Sequence, residues 1–260
     1  MRRKELALAA VISSAIAVAI LSMPDVLRPV AEGLLRALGL YWPAAVLLIG
    51  VIHGLKPDEH TWPITVSYGM MQESLGKAMI STGVFAGALT LVWASLSALT
   101  SQVLSFFQGE GLEAYVDIVV GLTMVTVAGA LLTLRRGHGA SAGSREARAD
   151  YKIIWVHGVA AAFGGDFFIV FYMTVILLPV MSASMGFAVG LLFGLGSWAA
   201  QSAVVAMMYK GLIKTVRDVS LLTSAGRLSL LFLGVFMIGL GVFSLTDVGQ
   251  ALRRLAAALT

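Results

Sequence analysis

Residues 167–209, FFIVFYMTVILLPVMSASMGFAVGLLFGLGSWAAQSAVVAMMY, contain no Asp, Glu, Lys or Arg. A helix of about 20 apolar residues crosses the roughly 30 Å hydrocarbon core of a bilayer, so this run is long enough for two crossings. Pro179 and the small residues Ser182, Ala183 and Ser184 stand near its middle. The stretch therefore predicts two membrane-spanning helices joined by a tight hairpin.

The rest of the chain is also strongly apolar. Hydrophobic residues make up 58% of it and charged residues 12%, with a mean hydropathy of +0.90. A soluble domain usually has about 25% charged residues, so this chain cannot cover a globule with polar groups. The composition predicts an all-α integral membrane protein. Five further runs lack charged side chains: 6–24, 37–55, 78–109, 118–134 and 228–246.

These runs predict about seven transmembrane helices. The intervening segment 24–38, PDVLRPVAEGLLRAL, is too charged to span a bilayer and is typical of a short amphipathic helix lying along the interface. The predicted transmembrane helices cover residues 5–23, 39–56, 77–107, 114–134, 152–181, 185–209 and 228–247.

The basic residues predict the orientation. With the N-terminus in the cytoplasm, fourteen of the eighteen Lys and Arg residues fall in cytoplasmic segments, as the positive-inside rule requires. Seven crossings then place the C-terminus outside a cell membrane that the chain crosses several times. The start, MRRKE before an apolar run, also resembles a signal peptide, but its apolar part is long for that role and favours a retained anchor.

The last six helices form two sets of three with opposite orientations. Their lead helices carry similar pairs, His53-Gly54 and His157-Gly158, close to helix-breaking residues. Oppositely oriented halves with interrupted helices are typical of transporters built from inverted repeats. We therefore predict an N-terminal helix with its interfacial segment at 1–38, a first repeat at 39–134, a cytoplasmic linker at 135–151 and a second repeat at 152–260.

The densest polar cluster follows the first His-Gly pair. Pro57 lacks an amide hydrogen, so the helix is expected to end there. The cluster contains His53, Asp58 and His60, with Glu59 as a possible supporting group. Imidazole and carboxylate suit nickel, cobalt, zinc or manganese ions and do not suit Cu(I). The chain has no cysteine, which excludes thiolate sites and dithiol chemistry.

The second cluster combines His157 with Asp166. Asp166 is the only charged residue between Lys152 and Lys210 and is expected deep in the hydrocarbon, where a carboxylate is by default a functional candidate. We expect His53, His60 and His157 to converge, with Asp58 or Asp166 beside them. Weaker supporting candidates, which could instead join helices by hydrogen bonds, are Gln72, Ser197 and Gln201.

The sequence HGLKPDEH at residues 53–60 resembles the His-Gly-x-x-Pro-Gly-His signature of nickel/cobalt exporters. It is also similar to the His-x4-Asp-His signature of nickel/cobalt permeases, and both families belong to a lysine-exporter-like group with three-plus-three helices. The resemblance implies that His53, Asp58 and His60 are metal ligands. The chain has one residue more than either signature before the second histidine, and its linker lacks the His-rich loop of many exporters.

Together these features predict a secondary transporter, and not an enzyme, for a divalent transition-metal cation such as nickel, cobalt or zinc. The ion would be the substrate, bound between the two repeats, and no permanently bound cofactor is expected. The expected partners are membrane lipid and the metal ion, with a homo-oligomer or a partner transport subunit left open. The topology accounts for the basic residues, so no nucleic-acid partner is expected.

Two other functions are consistent with the same residues. An intramembrane metal-dependent hydrolase could hold a catalytic zinc with histidines and aspartates. Such sites usually place ligand pairs one helical turn apart, whereas Pro57 separates His53 from His60. A transporter of a small anion would instead use the His and Asp side chains as proton carriers.

Overall fold

The structure is a computed structural model, and the residues that it describes are helical almost throughout. None of the described residues lies in a β-strand. The structure describes residues 3–22, 27–58, 61–102, 118, 122, 124–126, 128–129, 150–163, 165–216, 219–246 and 249.

The helices are numbered in chain order. They are α1 (Arg3–Ser22), α2 (Leu27–Leu38), α3 (Trp42–Leu55), α4 (Trp62–Met70), α5 (Leu75–Gln102), α6 (Tyr151–Ala161), α7 (Gly165–Leu177), α8 (Gly186–Val216) and α9 (Val219–Leu245). Single 3₁₀ turns at Gly39–Tyr41 and Ala183–Met185 precede α3 and α8. The described residues between 118 and 129 are helical as well.

Among the described residues, five helical segments are long and apolar enough to cross a membrane, so the chain is an all-α membrane protein with several candidate spans. The sequence predicts about seven. One of the two remaining predicted helices, 114–134, lies largely outside the described residues, and the other, 152–181, is divided into α6 and α7. The five segments are Arg3–Ser22, Pro29–Leu55, Leu75–Gln102, Ala183–Leu212 and Thr223–Leu245.

Two short features agree with the sequence. Helix α2 is amphipathic, because Leu27, Ala31 and Leu35 are buried at a spacing of four residues on one face. The predicted hairpin is also present, since α7 ends at Leu177, a turn follows, and α8 begins at Gly186.

The helical structure is interrupted between α3 and α4. Lys56 has extended backbone angles, φ −69° and ψ 126°, because a residue that precedes proline is disfavoured in the helical region. The sequence predicts no transmembrane helix between residues 56 and 77, but this part of the chain is not simply a connecting loop. The segment contains α4, which starts at Trp62 with Pro63 in its first turn, where proline's missing amide costs nothing. Every residue from Pro63 to Met70 is buried.

A second interruption separates α6 from α7 inside the predicted helix 152–181, which agrees with the expectation that the lead helices of the two halves are interrupted. Ala162 and Phe163 form a turn, and the new helix begins at Gly165 with Asp166 in its first turn. A carboxylate at that place is favourable because it faces the positive end of the helix dipole. The break thus places a buried acidic side chain at the start of α7.

Among the described helices, the long helices α5 and α8 have the most extensive contact with each other. Each of them also packs against an interrupted segment from the other half of the chain. Helix α3 packs on α8, while α6 packs on α5. The glycine after each histidine permits the contact: a Cβ on Gly54 would lie 2.4 Å from the Ser197 carbonyl oxygen, and one on Gly158 would lie 2.6 Å from that of Phe85. The division into two repeats stays a prediction, because much of residues 103–149 lies outside the described part.

Candidate metal centre

Asp58 lies in the break between α3 and α4 and is buried. Its carboxylate accepts hydrogen bonds from the Thr61 backbone N–H at 2.9 Å and from the Thr61 hydroxyl. These bonds hold the carboxylate against the turn that leads into α4. The local sequence therefore fixes one acidic group beside the end of α3.

His53 is in the last turn of α3 and is 0% exposed. Its ring stacks on Phe193, with centroids 5.0 Å apart and an angle of 28°, and meets Trp93 edge-on at 5.8 Å and 77°. Its Nδ1 lies 3.3 Å from Asp166 Oδ1. Its Nε2 is buried and has no hydrogen-bond partner among the described residues. A buried polar atom of this kind requires an explanation, and a bound ion provides one.

His53, Asp58 and Asp166 form one group, all buried, whose ligand atoms lie within 4.8 Å of one another. Donors at about 2.1 Å from a tetrahedral metal ion are about 3.4 Å apart, so the ligand atoms would approach one another by up to about 1.4 Å to bind an ion. One imidazole and two carboxylates are the N/O donor set of nickel, cobalt, zinc and manganese. The arrangement can hold a divalent cation and offset its charge.

His157 is fully buried in α6 but does not belong to this group. Its Nδ1 lies 2.5 Å from the hydroxyl oxygen of Tyr68 on α4, and the two rings are 5.6 Å apart. The histidines of the two lead helices therefore have equivalent contacts. His53 contacts α7, which follows the second break, and His157 contacts α4, which follows the first. His60 and Glu59 lie outside the described residues, so their predicted roles stay predictions.

The supporting candidates Ser197 and Gln201 lie on α8, and Gln72 follows the end of α4. Gln201 Nε2 donates to Ser197 Oγ one turn away, at 2.8 Å, and both residues are buried. Gln72 is buried too, and its backbone carbonyl accepts a hydrogen bond from the Tyr209 hydroxyl at 3.2 Å.

The aromatic residues around the histidines were not predicted. Trp93 and Phe193 contact His53, and Tyr68 contacts His157, from helices far away in sequence. Aromatic side chains are common in apolar membrane helices, and nothing in their spacing here distinguishes these three. Only the packing of α5 and α8 reveals them.

Fold and site together define an all-α membrane protein that buries a histidine and two aspartates at the junction of two interrupted helical segments. Comparisons of the chain with protein-family models, with curated proteins and with solved structures each gave no match. Arguments about its function therefore rest on the chemistry of the site.

Proposed function

We propose that the chain is a secondary transporter for a divalent transition-metal cation of the nickel and cobalt class, and not an enzyme. The observation that carries the proposal is the buried group of His53, Asp58 and Asp166. The group brings one imidazole and two carboxylates together at the junction of two interrupted helices, and an acidic side chain inside a membrane protein is by default a functional candidate. The ion would be the substrate.

The donor set supports the choice of metal. Neutral imidazole and carboxylate oxygen favour borderline and hard divalent ions, and the chain has no cysteine thiolate to select soft ones. The buried Nε2 of His53 offers a nitrogen that magnesium and calcium do not need. Nickel, cobalt and zinc fit the site better than the alkaline-earth ions.

The position of the ligands supports transport. His53 and Asp58 flank the first break, and Asp166 follows the second. Ion sites in many transporters lie at such discontinuous helices, whose rearrangement changes the distances between ligands. A relative movement of the two breaks would open the group and release the ion. The chain has no phosphate-binding glycine loop, so a gradient of ions or protons, or an ATPase subunit, would provide the energy.

The first test is flux into proteoliposomes. We expect saturable uptake of Ni²⁺ and Co²⁺ that responds to a pH gradient, because imidazole ligands must be deprotonated to bind a metal. Mg²⁺ and Ca²⁺ should not be carried. His53→Ala should abolish the flux, whereas His138→Ala, in the predicted linker, should keep it. Absence of transition-metal flux in the unaltered protein, in either direction of the gradient, contradicts the proposal.

The second test concerns topology. The proposed orientation in the cell membrane has the N-terminus and residue 140 in the cytoplasm and the α7–α8 hairpin outside. Reporter fusions at residue 140 are therefore expected to give a cytoplasmic signal, and fusions at Ala183 an external one. The opposite pattern at residue 140 would overturn the orientation, because both predicted halves are oriented from that segment.

A further inference from the structure

Trp93 occupies a fixed place where α5 crosses α8. It is 0% exposed, and its own carbonyl oxygen would lie 2.1 Å from a Cβ on Gly190, so the two backbones are in direct contact there. The Gly190 N–H also donates a hydrogen bond to Ser97 Oγ at 3.0 Å, one turn along α5. The packing leaves the backbone of Trp93 little freedom to move.

The indole ring of Trp93 packs against one side of the His53 imidazole. Trp93, Phe193 and His53 contact one another, with the centroids of Trp93 and Phe193 5.0 Å apart at 62°. Aromatic pairs at such distances and angles are favourable, so the plane of the imidazole is defined by two neighbours. With these rings in contact with it, His53 keeps its Nδ1 towards Asp166.

The other end of the indole reaches the second break. Its Nε1–H donates a hydrogen bond of 2.9 Å to the carbonyl oxygen of Ala162. Carbonyls at the end of a helix lack a partner within that helix, and Ala162 directly follows α6. Asp166 comes four residues later, in the first turn of α7. One side chain therefore contacts His53 and also holds the backbone turn that leads to Asp166.

We infer that Trp93 is the positioning residue of the cation site: it sets the distance between His53 and Asp166 and so determines which divalent ions fit. The inference rests on the proposed function, since it assigns the specificity of the same site. Trp93 touches no ion itself. It acts through the orientation of one ligand and through the turn before the other.

The test uses Trp93→Phe, which keeps an aromatic ring and removes the N–H donor. Co²⁺ binding to the purified full-length protein is followed by the visible absorption of the bound ion. We expect about tenfold weaker binding, equivalent to ~1.4 kcal/mol, and a displaced absorption maximum at saturation, because the ligands surround the ion differently. The ratio of Co²⁺ to Zn²⁺ affinity should change as well. Trp198→Phe, at a partly exposed tryptophan on α8, is the matched control and should bind as the unaltered protein does.

A purely structural role for Trp93 predicts a different result. The variant would unfold at a lower temperature, yet its saturated Co²⁺ spectrum and its metal preference would equal those of the unaltered protein, and the inference would be wrong. If Trp93→Phe does not fold, the benzothienyl analogue of tryptophan at position 93 replaces it, since that ring has the shape of indole without the N–H.

The two proposals fail in different ways. No Co²⁺ binding by the unaltered protein overturns the proposed function and this inference together. Binding by the unaltered protein, with the same affinity and spectrum in the Trp93 variant, overturns only the positioning role.

Discussion

Asp166→Asn is expected to fold and reach the membrane while binding of Ni²⁺ and Co²⁺ weakens at least a hundredfold. The amide has the size of the carboxylate and keeps hydrogen-bonding capacity, but it removes one of the two negative charges in the buried group. Loss of one partner from a buried charge pair costs about 3–5 kcal/mol, which corresponds to a factor of a hundred or more. Equilibrium binding of radioactive nickel to the purified variant measures the effect.

Asp150→Asn is the matched control for this substitution. Asp150 caps the N-terminus of α6 by accepting a hydrogen bond from the Lys152 N–H, and asparagine serves equally well at that position. We expect this variant to bind metal normally. Should Asp166→Asn retain affinity within a few-fold at normal expression, the carboxylate only joins helices and has no part in cation binding.

Gly50→Ala is expected to lower the stability of the protein. A Cβ at this position of α3 would lie 2.1 Å from the backbone oxygen of Phe193 on α8, so one helix has to move. Overpacking of this kind costs about 1–3 kcal/mol, or roughly 3–10 °C in the midpoint of thermal unfolding. His53 lies one turn further along α3, so we also expect weaker metal binding. Thermal unfolding in detergent and Co²⁺ titration measure the two effects.

Gly239→Ala provides the comparison. Gly239 lies inside α9, and a Cβ there would meet nothing within 4 Å. Because alanine is the better helix former by about 1 kcal/mol, this variant should be as stable as the unaltered protein or slightly more stable. Equal stability of the Gly50 and Gly239 variants would contradict the close contact between α3 and α8.

The membrane class, the hairpin before α8 and the amphipathic helix α2 could be predicted because they depend on local quantities. The length of a charge-free run and the spacing of apolar side chains are read directly from the chain. Asp166 could be singled out for the same reason, as a lone charge in a long apolar stretch. The end of α3 followed from Pro57, whose missing amide hydrogen acts within one turn.

Helix α4 and the contacts of the histidines could not be predicted because they depend on tertiary structure. Residues 62–70 contain Pro63, Ser67 and Gly69, and they form a buried helix only because α9, α5 and α8 surround them. Tyr68 and His157 are 89 positions apart. Membrane helices are apolar on all sides, so their hydrophobic pattern does not define which face meets which neighbour. Trp93 was missed for that reason.

Helix α3 packs on α8, which is synthesised much later, and this affects the order in which the structure can assemble. When α3 leaves the ribosome, α8 has not been synthesised, and at ~5–20 residues per second its arrival takes on the order of ten seconds. During that time Gly54 lacks its packing contact with Ser197, and His53 lacks its contact with Asp166. The helices that are inserted first must therefore have a different arrangement in the bilayer until α8 has been synthesised. The group of His53, Asp58 and Asp166 is completed only when α7 has been inserted.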